Sequence, residues 1–204
     1  LEDLLLDTRT RTNFLIAALH CVYPLSTLPD GVTRTICGVP IPPDAPIYPV
    51  NFGYSSSSGG GNPSSSFSSA GDEECVATAL GHACHLVSLM AKYSLVHLRF
   101  TPIAMASKSH MRDPSIPTTR SNSRDGSDFP LFFRGVERTR ALAAVQMLSM
   151  DVQQLLSVHG LMPVDAQPPT SSLFANLQNI VIICRQRFLT ALGGMDQAFS
   201  EDTG

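Results

Sequence analysis

The sequence predicts an α/β chain of the α+β kind. A mixed β-sheet carries stacked amphipathic helices, preceded by the end of a coiled-coil helix. Three observations predict it. Four long segments carry apolar side chains at alternating steps of four and three. Short β-branched or aromatic runs bounded by Gly and Pro lie between them. The connections are long enough for helices to cover a sheet.

Residues 1–22 form the first helix. Leu1, Leu5, Leu15, Leu19 and Val22 lie on one stripe, with Thr8 and Thr12 at its intermediate places. Asp3 and Asp7 suit a helix N-terminus, and Pro24 ends the run. An ordinary amphipathic helix and the tail of a coiled coil both fit this pattern. "VTRTICGVPI" (32–41) reads as a strand, and the prolines of "PPDAPIYPVNF" make the next stretch irregular. Residues 53–71 are Ser- and Gly-rich, have little to bury, and read as a flexible insertion.

A second helix spans about 73–93, with Asp72 as its cap. Val76, Leu80, Ala83, Val87 and Met90 form its core stripe. "LVHLRF" (95–100) alternates as a strand does, and "IAMAS" (103–107) follows Pro102 as another. Residues 108–128 read as a polar loop. "FPLFF" (129–133) reads as a short buried strand, or as an exposed tip whose Phe129, Phe132 and Phe133 contact a membrane. A third helix spans about 136–159 on the stripe Ala141, Val145, Leu148, Val152 and Leu155, and Gly160 ends it. A fourth spans 170–188 on Leu173, Leu177, Ile180 and Cys184, capped by Ser171 or Ser172. Residues 191–204 are expected to fray.

The organisation expected is therefore a coiled-coil end at 1–22, a globular domain at 23–190 and a frayed tail at 191–204. The chain has 204 residues and 43% hydrophobic content, enough for one sizeable core. A net charge of −3 with no basic block argues against a nucleic-acid partner. Five scattered cysteines without a CxxC pair suggest reduced, intracellular thiols. No apolar run is expected to span a bilayer, and the first residues lack a signal-peptide pattern. A start at Leu1 inside a helical pattern suggests a piece of a longer protein.

"ALGHACHLVSLM" places His82, Cys84 and His85 within four positions. Two histidines at i and i+3 can share a metal, but helical zinc sites more often use i and i+4 with a further ligand. No second cluster of ligands accompanies them. Cys84 sits mid-helix, and Cys75 follows Glu73 and Glu74, whose charges oppose a thiolate. No GxSxG, GxGxxG or GxxxxGK[ST] motif is present. No catalytic, cofactor-binding or metal-ligating residues are assigned, and no cofactor is expected. A small thiol- or metal-dependent hydrolase using His82, Cys84 and His85 is the competing reading. In the polar loop, Lys108, Arg112, Arg120 and Arg124 can meet anionic headgroups, but Asp113, Asp125 and Asp128 are interspersed.

"YPL", "CGVPIP", "ALGHACHLVSLM", "LRF", "SKSHMRD", "FPLFFRG", "QQLLSVHGL" and "ANLQN" occur in this order between about Leu15 and Ile183. In this the chain resembles the UV radiation resistance-associated family, C-terminal region, which is related to the autophagy subunit Barkor. The resemblance implies a non-catalytic subunit of the class III phosphatidylinositol 3-kinase complex. It implies a Beclin-family partner joined through a coiled coil, the kinase's catalytic and scaffold subunits as further partners, and an α/β domain like Beclin's C-terminal repeat domain. The implied location is cytoplasmic and peripheral on endosomal or autophagic membranes. On this reading Leu1, Leu5, Leu15 and Leu19 are the partner-binding stripe, and His85 and His159 are structural.

Overall fold

The computed structural model describes residues 2–31, 33–41, 70–116, 127–164 and 169–201. The expected insertion at 53–71 lies almost wholly outside them, as do Leu1 and the middle of the polar loop. The elements in chain order are α1 (Glu2–Val22), β1 (Leu25–Thr27), β2 (Arg34–Ile36), β3 (Val39–Ile41), α2 (Ala70–Tyr93), β4 (Thr101–Ile103), β5 (His110–Arg112), β6 (Asp128–Pro130), α3 (Arg138–Val158) and α4 (Pro169–Glu201). Helices and strands combine as the sequence predicts. The strands divide into two antiparallel three-stranded sheets, β1-β2-β3 and β4-β5-β6.

The run 32–41, expected as one strand, is a hairpin. Cys37 and Gly38 turn it with φ of 53° and 75°, and Ile36 pairs with Val39. Two successive positive φ values match the right-handed twist of the flanking strands. "LVHLRF" is not a strand either, because two side chains of α3 take its backbone groups. Gln154 accepts the N–H of Arg99 at 3.0 Å and donates to the carbonyl of His97 at 2.7 Å, while Asp151 accepts the N–H of Phe100 at 3.1 Å. The β pairing begins just afterwards, with Ile103 opposite His110 and Met111 opposite Phe129.

The core is one cluster drawn from every helix and both sheets. The expected stripes of α2, α3 and α4 are all buried. On α2, Ala79, Cys84, Leu86 and Ala91 are buried as well, so this helix is enclosed on most sides. Its residues Glu73–Tyr93 are long and apolar enough to cross a bilayer, contrary to the expectation that no run qualifies. Most of that stretch is covered by the fold, which accounts for its apolar character. The close approach of the 105–109 turn needs Gly81, since a Cβ there would collide with the carbonyl of Ala106.

Helix α3 ends in a Schellman closure: Leu161 N–H donates to Leu156 O at 2.9 Å and Gly160 N–H to Ser157 O at 3.0 Å, with Gly160 at φ 66°. Helix α4 begins at Pro169, whose missing amide costs nothing in a first turn, and continues past the expected end at 188 to Glu201. It packs along α1. Gln178 accepts at 3.0 Å from Arg34, which pairs with β1 just after α1, and further along the Phe188 ring lies tilted by 48° against Phe14 with centroids 5.1 Å apart. The two helices therefore run in opposite directions.

Candidate functional site

The His82–Cys84–His85 cluster separates once α2 is packed. Cys84 is fully buried, and burial, with the Asp151 carboxylate nearby, pushes its thiol up to about 12. A thiol so shifted is not a nucleophile at neutral pH. His85 reaches the other way, and its Nδ1 shares a hydrogen bond of 2.6 Å with the Tyr23 hydroxyl. His82 lies half-buried with its ring 6.1 Å from that of Tyr23. His85 thus fastens α2 to the residue that follows α1. Among the described residues no group of three or more His, Cys, Asp or Glu side chains is placed to hold a metal ion.

The leucine stripe of α1 divides along its length. Leu19 is buried, Leu15 is half-buried, and Leu5 is 60% exposed beside the exposed Leu4 and Leu6. Ile16 rather than Leu15 carries the central core contact. Every residue from Leu4 to Arg9 has an exposed side chain. The polar interruptions at Thr8 and Thr12 mark where α1 crosses a notch of about 580 Å³. The notch is lined from α1 by Thr8, Arg9, Thr12 and Asn13, from the ends of α2 and α3 by Ser94, Leu95 and His159, and from the middle of α4 by Arg187, among others.

Hydrogen bonds organise its floor. Thr12 Oγ1 donates to Tyr93 O at 3.2 Å, and Arg187 donates to His159 O at 2.9 Å, so both helix ends have a carbonyl capped from across the notch. The ring of His159 is held by Ser94 Oγ at 3.1 Å from Nε2 and by Cys184 Sγ at 3.7 Å from Nδ1. Burial, and then the Arg187 charge, lowers its pKa below the ordinary histidine value.

The aromatic run 129–133 is anchored rather than free along most of its length. Leu131 is fully buried, and Phe129 and Phe133 pack half-buried against the core. The Arg140 guanidinium lies 5.7 Å over the Phe129 ring. Phe132 lines a second cleft of about 500 Å³ with Lys108, His110, Asp128 and Arg140. Asp128 is the charge centre there, accepting Arg112 Nε at 2.6 Å, with His110 Nε2 at 3.6 Å.

One buried acid is not singled out by the sequence. Asp151 has no exposed surface, and its Oδ2 has no hydrogen-bond partner among the described residues. Its position is legible in hindsight: it lies three residues after Leu148 and four before Leu155, on the core stripe of α3. Burial pushes its carboxyl up to about 7.

Comparison with known proteins bears on identity rather than on any single site. No family model matches the chain, and no solved structure matches it. It is 29% identical over 171 residues to the UV radiation resistance-associated protein of Mus musculus, covering 84% of this chain and 20% of that protein. The chain thus spans about one fifth of the length of this relative. The ordered motifs between Leu15 and Ile183 and this comparison agree: over most of its length the chain is similar to part of the UV radiation resistance-associated protein.

Proposed function

We propose that this chain is the C-terminal domain of a non-catalytic adaptor subunit of the class III phosphatidylinositol 3-kinase complex. It pairs with a Beclin-family protein through α1 and helps place the kinase's catalytic and scaffold subunits on endosomal or autophagic membranes. The observation that carries this reading is the similarity across 84% of the chain. The exposed Leu4, Leu5 and Leu6 support it, because leucines at the start of an uncovered helix suit pairing with a second helix. The body from Tyr23 onward then acts as the globular end of that coil. For membrane contact, Phe132 is the insertion candidate, with Phe129 and Phe133 holding its segment in place. Lys108, on the same cleft, suits an anionic headgroup.

The test is co-purification of the full-length parent from its own cells with the kinase subunits. Wild-type parent retains them, and a parent carrying Leu4→Glu and Leu5→Glu loses the Beclin-family partner while remaining folded. Retention of none by the wild type sinks the reading. The hydrolase alternative has little physical support, since its thiol is enclosed and His85 is bonded to Tyr23.

A further inference from the structure

We propose that the notch beneath α1 is a dock for an acidic, leucine-containing segment of a partner protein. Arg9 and Arg187 receive its carboxylates, and Leu95 and Val158 receive its apolar side chains. This goes beyond the pairing of α1 and does not depend on which protein performs that pairing.

The charge of the notch is one-sided. Arg9 and Arg187 both line it, and among the described residues no Asp or Glu does. Among the described residues neither arginine forms an ion pair. Arg187 spends one donor on His159 O, and a guanidinium has five. The C-termini of α2 and α3 also face the notch, and each contributes about half a negative charge. Two full positive charges exceed these, and the facing carbonyls of Tyr93 and His159 already have partners.

Leu95 supplies an independent observation. Helix α2 ends as α3 does: Val96 N–H donates to Ala91 O at 2.9 Å and Leu95 N–H to Lys92 O at 3.3 Å. In α3 the left-handed position of this closure is a glycine, Gly160. In α2 it is Leu95, at φ 55° and 85% exposed. A β-carbon in that conformation costs about 1–2 kcal/mol. The side chain is almost wholly open to solvent, so little burial within this chain offsets the cost. Backbone strain of this kind clusters at binding sites, and of the other described non-Gly residues with positive φ, Cys37 turns a hairpin and Ala106 lies in the 105–109 turn. Leu95 stands on the rim with Val158, also exposed, beside the two guanidiniums. Carboxylate and leucine side chains on one peptide satisfy both halves of this rim, whereas a lone phosphate satisfies only the arginines.

The test uses the full chain and a fluorescein-labelled ten-residue peptide of alternating Glu and Leu, against the same peptide with Gln for Glu. Binding is read by anisotropy, and its place by the NMR resonances of the His159 ring. The Glu peptide is expected to bind at least tenfold tighter than the Gln peptide and to shift His159. Arg9→Glu, which breaks no bond seen in the fold, weakens it at least tenfold. Leu95→Gly raises the thermal midpoint yet weakens the peptide several-fold, a combination that misfolding cannot produce. Equal binding of the Gln peptide, full binding by Arg9→Glu or by Leu95→Gly, or no binding at all overturns the proposal. So does inorganic phosphate that reproduces the His159 shift and displaces the peptide at equal concentration.

Discussion

The Asp151 carboxylate accepts the Phe100 N–H at 3.1 Å inside the core, and its second oxygen has no partner among the described residues. One hydrogen bond fixes the chain between α2 and β4, but an ionised carboxylate there lacks the further donors that burial of a charge demands. The group therefore favours its proton, with its pKa up at about 7.

That shift sets a direction for stability against pH. An unfolded aspartate titrates near pH 4, so between about pH 4 and 7 the folded chain binds a proton that the unfolded chain releases. This contribution is fully present below pH 4, declines as pH rises to about 7, and stays lost above it. Its size is roughly 2–4 kcal/mol. Asp151→Asn keeps an acceptor for Phe100 without the charge. Urea midpoints at pH 5, 6, 7 and 8 are expected to decline for the wild type relative to Asp151→Asn. His159 acts oppositely, because its pKa is lowered and its contribution is lost as pH falls below about 6.5. Parallel curves for wild type and Asp151→Asn count against the buried-acid account.

Gly81 tests the packing of α2 against the 105–109 turn. On an open helix face, Gly→Ala stabilises by about 1 kcal/mol. Here the added carbon meets the backbone carbonyl of Ala106, which Ser109 Oγ holds at 2.7 Å. Gly81→Ala is expected to destabilise by about 2–3 kcal/mol, the usual scale of overpacking. Chemical denaturation decides it, and a gain in stability contradicts the close approach.

Thiol accessibility separates four of the five cysteines. Cys21 and Cys75 are exposed, and Cys84 and Cys184 are fully buried, with burial pushing the latter two up to about 12 and about 11. Iodoacetamide at neutral pH is expected to modify Cys21 and Cys75 in the native chain and to reach Cys84 and Cys184 only on unfolding. Peptide mapping by mass spectrometry gives the order. Rapid native labelling of Cys84 revives a thiol chemistry for α2.

Sequence periodicity located the helices well because each buries a stripe against one continuous core, and the 4-3 steps of α2, α3 and α4 correspond to buried side chains. Strands were harder. Each is three residues long, too short for alternation to register, and the alternation of "LVHLRF" comes from a segment bonded by Gln154 and Asp151. The Cys37–Gly38 turn had a local signal in its glycine, but the run of β-branched residues masked it. The notch was visible only as Thr8 and Thr12 interrupting a leucine stripe. Its arginines come from α1 and α4, far apart in sequence, so no local pattern could join them.

The stripe of α1 should respond to substitution according to depth rather than residue type. Leu19 packs in the core, and Leu5, on the same stripe, is largely solvated. Leu19→Ala is expected to destabilise the chain by about 2–5 kcal/mol, through lost burial and the cavity left behind. Leu5→Ala should stay within about 0.5 kcal/mol, as surface changes do. Partner binding should show the opposite ranking: Leu5→Ala weakens retention of the coiled-coil partner by the full-length parent although its fold is intact. Differential scanning calorimetry of the chain and quantitative co-purification of the parent separate the two effects. If Leu5→Ala leaves co-purification untouched, the exposed turns of α1 are not where the partner helix lies.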